Sequence, residues 1–120
     1  LVKALPSTQV HTLNLGNNQI GDEGVKGLAA VLPSTQIHTL NLQQNQIDDE
    51  GAKELSTALP NSQVHILYLG YNQIGYEGVK ELAKALRNTQ IHTFHLEDNE
   101  IDYEMESLLS GVNPHIICYF

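Results

Sequence analysis

Apolar positions recur along the chain in two alternating rhythms. An apolar residue at Val10 is followed by two variable positions and then by the pattern L-x-L-x-x-N-x-I, carried by Leu13, Leu15, Asn18 and Ile20. The alternation around Leu13 and Leu15 has period two, which predicts a short, half-buried strand. The rhythm then changes. Gly24, Leu28 and Leu32 stand four apart, and Val25, Ala29 and Leu32 continue one apolar stripe. That spacing predicts an amphipathic helix. Asp22 and Glu23 at its start complement the positive end of the helix. Pro33, and Pro60 further on, stop it by removing a donor and crowding the preceding turn.

This strand-plus-helix unit repeats. Residues 10–36, 37–63 and 64–90 are full copies, residues 1–9 match the tail of a unit, and residues 91–120 form a divergent last copy. The first two copies share 16 of 27 positions without a gap, so the reading of one unit transfers to the others. Strands are expected near 12–15, 39–42, 66–69 and 93–96 of a single domain. The stripe decays in the last copy, where Met105 replaces Gly78 and Glu106 replaces Val79. Terminal repeats of a solenoid are expected to be atypical. His115 to Phe120 then reads as a last edge strand, which can recruit another chain. Leu1 and Leu5 lack a preceding strand, so homo-oligomers through exposed repeat ends are a further expectation.

The L-x-x-L-x-L-x-x-N-x-L core resembles the leucine-rich repeat signature. With its G-x-x-x-L-x-x-x-L half, the unit is similar to the ribonuclease-inhibitor-like class, which includes repeats of NOD-like receptors and of Ran GTPase-activating proteins. The chain departs from ribonuclease inhibitor itself in lacking frequent cysteines and in its uniform unit length. The resemblance implies an α/β solenoid, a short arc of a horseshoe, with a parallel sheet on the concave side and helices on the convex side. It also implies that Asn18, Asn45, Asn72 and Asn99 form a structural ladder whose amides bond the backbone where the chain leaves each strand. Loop backbone groups inside a solenoid need such partners.

Other columns follow from the repeat. Leu13, Leu40, Leu67 and Phe94 should stack as one core row, and Leu15, Leu42, Leu69 and Leu96 as the next. Gly24, Gly51 and Gly78 fall where the helix begins and a side chain would meet a neighbour. His11, His38, His65 and His92 should line up about 4.8 Å apart. Imidazoles bind zinc or copper, but one straight row suits a tetrahedral ion poorly, so a row of polar residues is the preferred reading. The acids Glu97, Asp98, Glu100, Asp102, Glu104 and Glu106 invite a calcium reading. Without a D-x-D-x-D-G loop they read better as a solvated end cap.

Composition narrows the function. The 120 residues carry 14 acidic and 6 basic side chains, a formal charge of −8, so neither nucleic acid nor an anionic membrane is an expected partner. A single cysteine, Cys118, excludes an internal disulfide and any zinc site built on two thiolates. No apolar run approaches the roughly 18 residues of a membrane span, and the first residues do not read as a signal peptide. A cytoplasmic location is expected, with secretion as an effector into a host cell as the alternative. The chain does not begin with Met and is expected to be a fragment or a processed form.

Function should reside in the variable strand positions, which face away from the core onto the concave sheet. The first two units offer small amides and hydroxyls. Units three and four offer Ile66, Tyr68, Tyr71, His95, Glu97 and Asp98, with Tyr76 and Tyr103 at equivalent places just beyond the strands. Tyrosine buries area with few rotors and keeps a polar tip, as binding hot spots require. No nucleophile motif such as G-x-S-x-G is present, and no cofactor is expected. The expectation is a non-catalytic module that binds a protein or peptide on its concave face, within a larger receptor or a bacterial effector. A regulator of another enzyme, as inhibitor or GTPase activator, is the alternative, with self-assembly through the repeat ends as the third.

Overall fold

A computed structural model describes residues 2–120. Strands β1 (Thr12–Asn14), β2 (Thr39–Asn41), β3 (Ile66–Tyr68), β4 (Thr93–His95) and β5 (Ile117–Tyr119) alternate with helices α1 (Gly21–Val31), α2 (Asp49–Ala58), α3 (Tyr76–Leu86) and α4 (Tyr103–Ser110). A 3-10 turn, Val2–Ser7, packs against α1, and Pro33 and Pro60 sit in 3-10 turns that end α1 and α2. The strands form one parallel sheet in the order β1-β2-β3-β4-β5. The sheet is concave and the helices are convex, as in a leucine-rich repeat solenoid. The strands are one residue shorter than the sequence suggests, although Leu15 N still donates to Asn41 O at 2.9 Å.

The register follows the repeat, pairing Leu13 with Leu40, Leu40 with Leu67, and Leu67 with Phe94. Leu40, Leu67, Phe94, Leu42 and Leu69 are wholly buried, while Leu13 and Leu15 are half-buried because β1 edges the sheet. Leu5 is buried beside α1, so the 3-10 turn covers core there; Leu1 lies outside the described residues. The last copy decays in sequence but not in architecture. Thr93 pairs with Ile117 after 24 positions rather than 27, and β5 continues the sheet. Met105, in the glycine column, is buried and packs inward.

The asparagine ladder links successive units. Asn72 Oδ1 accepts from Asn45 N at 2.9 Å and Ile47 N at 3.0 Å, while its Nδ2 donates to Leu42 O, Leu69 O and Gly70 O. Asn45 and Asn99 repeat the scheme. Asn18 differs. It is exposed, and its Nδ2 reaches only Leu15 O and Gly16 O within its own unit.

A second ladder was not apparent from the sequence. Asp22 and Asp49 lie in the first turns of α1 and α2, yet each carboxylate bonds the start of the following helix. Asp22 Oδ1 accepts from Asp48 N and Gly51 N, and Asp49 Oδ1 accepts from Gly75 N at 2.7 Å and Gly78 N at 3.0 Å. A Cβ on Gly78 would stand 2.7 Å from Asp49 Oδ1 and 2.8 Å from Ile74 Cγ2, so close approach dictates this glycine. The next acid in the column is replaced by Tyr76. Helix α4 is capped instead by its own Asp102, which accepts from Met105 N at 3.0 Å. Asp49→Ala should therefore cost about 1 kcal/mol through the uncapped start of α3, and Gly78→Ala more, measured as denaturant midpoints.

The Asp22 carboxyl also faces Asp48. Burial, then the contact with Asp48, raises the Asp22 pKa above its ordinary value. The hydrogen bond from Asp22 holds Asp48 below its own. A raised carboxyl pKa stabilises the fold below the unfolded value, and that contribution is lost as pH rises through the folded value. Asp48 acts in the opposite sense. Asp22→Asn keeps the acceptor for both backbone amides and removes the ionisation. Its denaturant midpoint should exceed that of the parent at pH 7, and the difference should shrink towards pH 3.5.

Candidate protein-interaction face

Because core side chains on each strand point inward, their neighbours are forced onto the open face of the sheet. The parallel register then aligns Asn14, Asn41, Tyr68, His95 and Tyr119 in one row. At its C-terminal end the row becomes an aromatic stack. The rings of Tyr68 and His95 lie 4.5 Å apart at 14°, and those of His95 and Tyr119 lie 4.4 Å apart at 6°. Stacking of this kind contributes roughly 1 kcal/mol per pair beyond area burial, and it holds the three rings face to face as one rigid platform that presents their edges. Ile66 and Ile117 flank it in the adjacent row.

The residues expected at the site fall into two groups. Tyr68, His95, Ile66, Glu97, Tyr71 and Asp98 come together on and beside the platform. His95 Nδ1 stands 3.4 Å from Glu97 Oε2. Tyr71 is 53% exposed, and its N–H donates to Glu97 O at 2.7 Å. Its φ of 57° is left-handed, as it is at Asn17, Gln44 and Asp98, so this backbone is a feature of the recurring turn. The charge of Asp98 and its hydrogen bond with the phenol raise the Tyr71 pKa above its ordinary value. Tyr76 and Tyr103 are not brought to the platform. They open α3 and α4 and are 52% and 81% exposed.

Tyr119 joins this row although the sequence reading did not place it there. The shortened last interval takes it out of the 27-residue register. A signal was present: Ile117-Cys118-Tyr119 repeats the order of Ile66-Leu67-Tyr68, with Cys118 at the core position. Burial raises the Cys118 pKa, as for a thiol used as a small hydrophobe.

The histidine column lies at the rim, just before the strands. His11, His38 and His65 stack at 5.1 and 4.9 Å, and His65 and His92 are 5.9 Å apart. The Nε2 atoms of His11, His38 and His65 face Gln36, Gln63 and Gln90, the last residues of their own repeats, at 3.3, 3.3 and 2.9 Å. Among the described residues no group of three or more His, Cys, Asp or Glu side chains could hold a metal ion. A depression lies on the helix side, where Asp22, Glu23, Lys26, Glu50 and Glu54 line an open groove. Among the described residues no helix is long and apolar enough to cross a membrane.

A family model described as Leucine Rich repeat matches residues 7–29, 34–56 and 61–83, more than half of the chain. The chain belongs to the leucine-rich repeat family. No curated protein matches it in sequence. Among solved structures it is similar to actin-binding site 2 of leiomodin-1, with a TM-score of 0.88 at 16% identity over 98% of this chain and 75% of that one. It is also similar to the tropomodulin C-terminal domain of Caenorhabditis elegans, with a TM-score of 0.73 at 19% identity over 98% and 78%. An internalin of Listeria monocytogenes gives a TM-score of 0.53 at 24% identity over 99% of this chain and 37% of that one. At these identities the likeness is one of fold.

Proposed function

We propose that this chain is a non-catalytic interaction module that binds a protein or peptide partner on its concave face, centred on β3 to β5. The observation that carries the reading is the Tyr68–His95–Tyr119 stack, whose ring edges line the open face of the sheet beside Ile66 and Ile117, with Tyr68 and His95 half-buried and Tyr119 exposed. Rigid aromatic area with polar tips is the chemistry of an interface hot spot. Tyr76 and Tyr103 extend the surface along the loop edge, where a partner reaching past the sheet would meet them. An open sheet without an enclosed, dry pocket favours recognition over catalysis. The absence of an apolar span among the described helices is compatible with a cytoplasmic module.

Leiomodin-1 supplies one protein to test, because its matching structure is named an actin-binding site. Co-sedimentation with filamentous actin tests that partner directly. The wider test is affinity capture from a lysate with the parent chain, Tyr68→Ala and Asn14→Ala in parallel. A protein retained by the parent and by Asn14→Ala but lost by Tyr68→Ala supports the reading. Proteins held equally by all three oppose it.

A further inference from the structure

The described sheet ends in two edges of unlike character. On β1 the outward residues Thr12 and Asn14 are polar. On β5 Ile117 and Tyr119 are 58% and 46% exposed, and Phe120 follows at 38%. Residues 116–120 carry neither a charge nor a proline, two of the devices that keep natural edges from pairing.

Hydrogen bonding on β5 runs to one side. Ile117 N donates to His92 O at 2.9 Å, and Tyr119 O accepts from Leu96 N at 2.8 Å. Both groups face β4. Backbone groups of successive residues in a strand point to opposite sides, so Cys118 N–H and C=O, with Phe120 N–H, face the open edge. Cys118 stands in the row of Leu67 and Phe94, which are wholly buried, yet is itself only half-buried. A strand laid on that edge gives the backbone groups partners and completes the burial of Cys118.

The sheet's own rows state what such a strand should carry. Ile66-Leu67-Tyr68, Thr93-Phe94-His95 and Ile117-Cys118-Tyr119 each run from a β-branched residue through a core residue to an aromatic ring. The ring spacings of 4.5 and 4.4 Å match a strand spacing of about 4.8 Å. Tyr119 stacks on His95 by one face, and among the described residues no ring covers the other. A ring on an added parallel strand falls on that face.

Resting on the concave-face reading, we propose that the partner adds a strand to β5: an extended segment of β-branched, apolar and aromatic residues in succession, parallel to the sheet, with its ring on Tyr119. The N–H of its aromatic residue donates to Cys118 O, and its own next carbonyl accepts from Phe120 N. Main-chain bonds of this kind supply affinity, and the alternate side chains supply selectivity.

The test titrates isotope-labelled chain with the peptide Ser-Thr-Ile-Leu-Tyr-Thr-Ser, read by amide shifts and hydrogen exchange. Shifts should centre on residues 116–120, and exchange at the Cys118 and Phe120 amides should slow. Two N-methylated peptides separate backbone pairing from apolar contact. Methylation at the peptide's tyrosine removes the N–H that faces Cys118 and should weaken binding about ten-fold, the effect of one acceptor left without its donor. Methylation at its leucine falls on the N–H that faces away and should change binding little. In the chain, Phe120→Pro deletes an outward N–H and should weaken the peptide, because Tyr119 is already extended, as the residue before a proline prefers. Asn14→Ala, at the opposite edge, should leave it unchanged. Equal effects of the two methyl groups, or shifts centred on β1, would overturn the proposal. So would concentration-dependent shifts of residues 116–120 in the chain alone that the peptide does not displace, which assign the edge to a second copy. A captured partner that is lost with Tyr68→Ala but held equally by Phe120→Pro would remove the added strand and leave the concave-face reading standing.

Discussion

Asn72→Ala should destabilise the fold by about 3 kcal/mol, because it leaves two buried backbone N–H groups without their acceptor at a cost of roughly 1–3 kcal/mol each. Those groups are Asn45 N and Ile47 N, both in the preceding unit. The carbonyls of Leu42, Leu69 and Gly70 lose a donor at the same time. Asn18→Ala should cost far less. That side chain is exposed and bonds only its own unit. Urea midpoints of the two variants check the contrast. Similar losses would mean that the asparagine acts within each turn rather than between repeats.

Tyr68→Ala should weaken partner binding by about 2 kcal/mol, roughly thirty-fold, as expected of a central aromatic anchor. The fold should survive, because Tyr68 lies outside the buried rows and loses little beyond its stacking on His95. Asn14→Ala, in the same row at the polar end of the sheet, should change affinity little. Each variant needs one titration with the captured partner and one melting curve. Equal losses from both would place the site elsewhere on the molecule.

Architecture was legible in the sequence because the repeat states it several times. Leu13, Leu40, Leu67 and Phe94 stand at one phase of a fixed period, and the sheet places them in register. The capping bonds that cross from one helix to the next were not legible. Nothing local indicates that Asp49 caps α3 rather than serving its own helix; that depends on how neighbouring helices stagger. The aromatic platform was half legible. Tyr68 and His95 share a phase, whereas Tyr119 falls out of phase through the shortened last interval and rejoins the row only once β5 pairs with β4. Asn18 carries the ladder motif, but its exposure follows from its place at the first strand rather than from its residue type.

The most direct measurement is tyrosine-selective footprinting of the chain, free and bound to its partner. The five tyrosines divide between the two surfaces. Tyr68, Tyr71 and Tyr119 lie on or beside the concave platform, and Tyr76 and Tyr103 open helices. If the concave end of the sheet is the binding face, the partner should protect Tyr68, Tyr71 and Tyr119, with any protection of Tyr76 and Tyr103 appearing only in addition. Protection confined to Tyr76 and Tyr103, with Tyr68 and Tyr119 modified as fast as in the free chain, would contradict it.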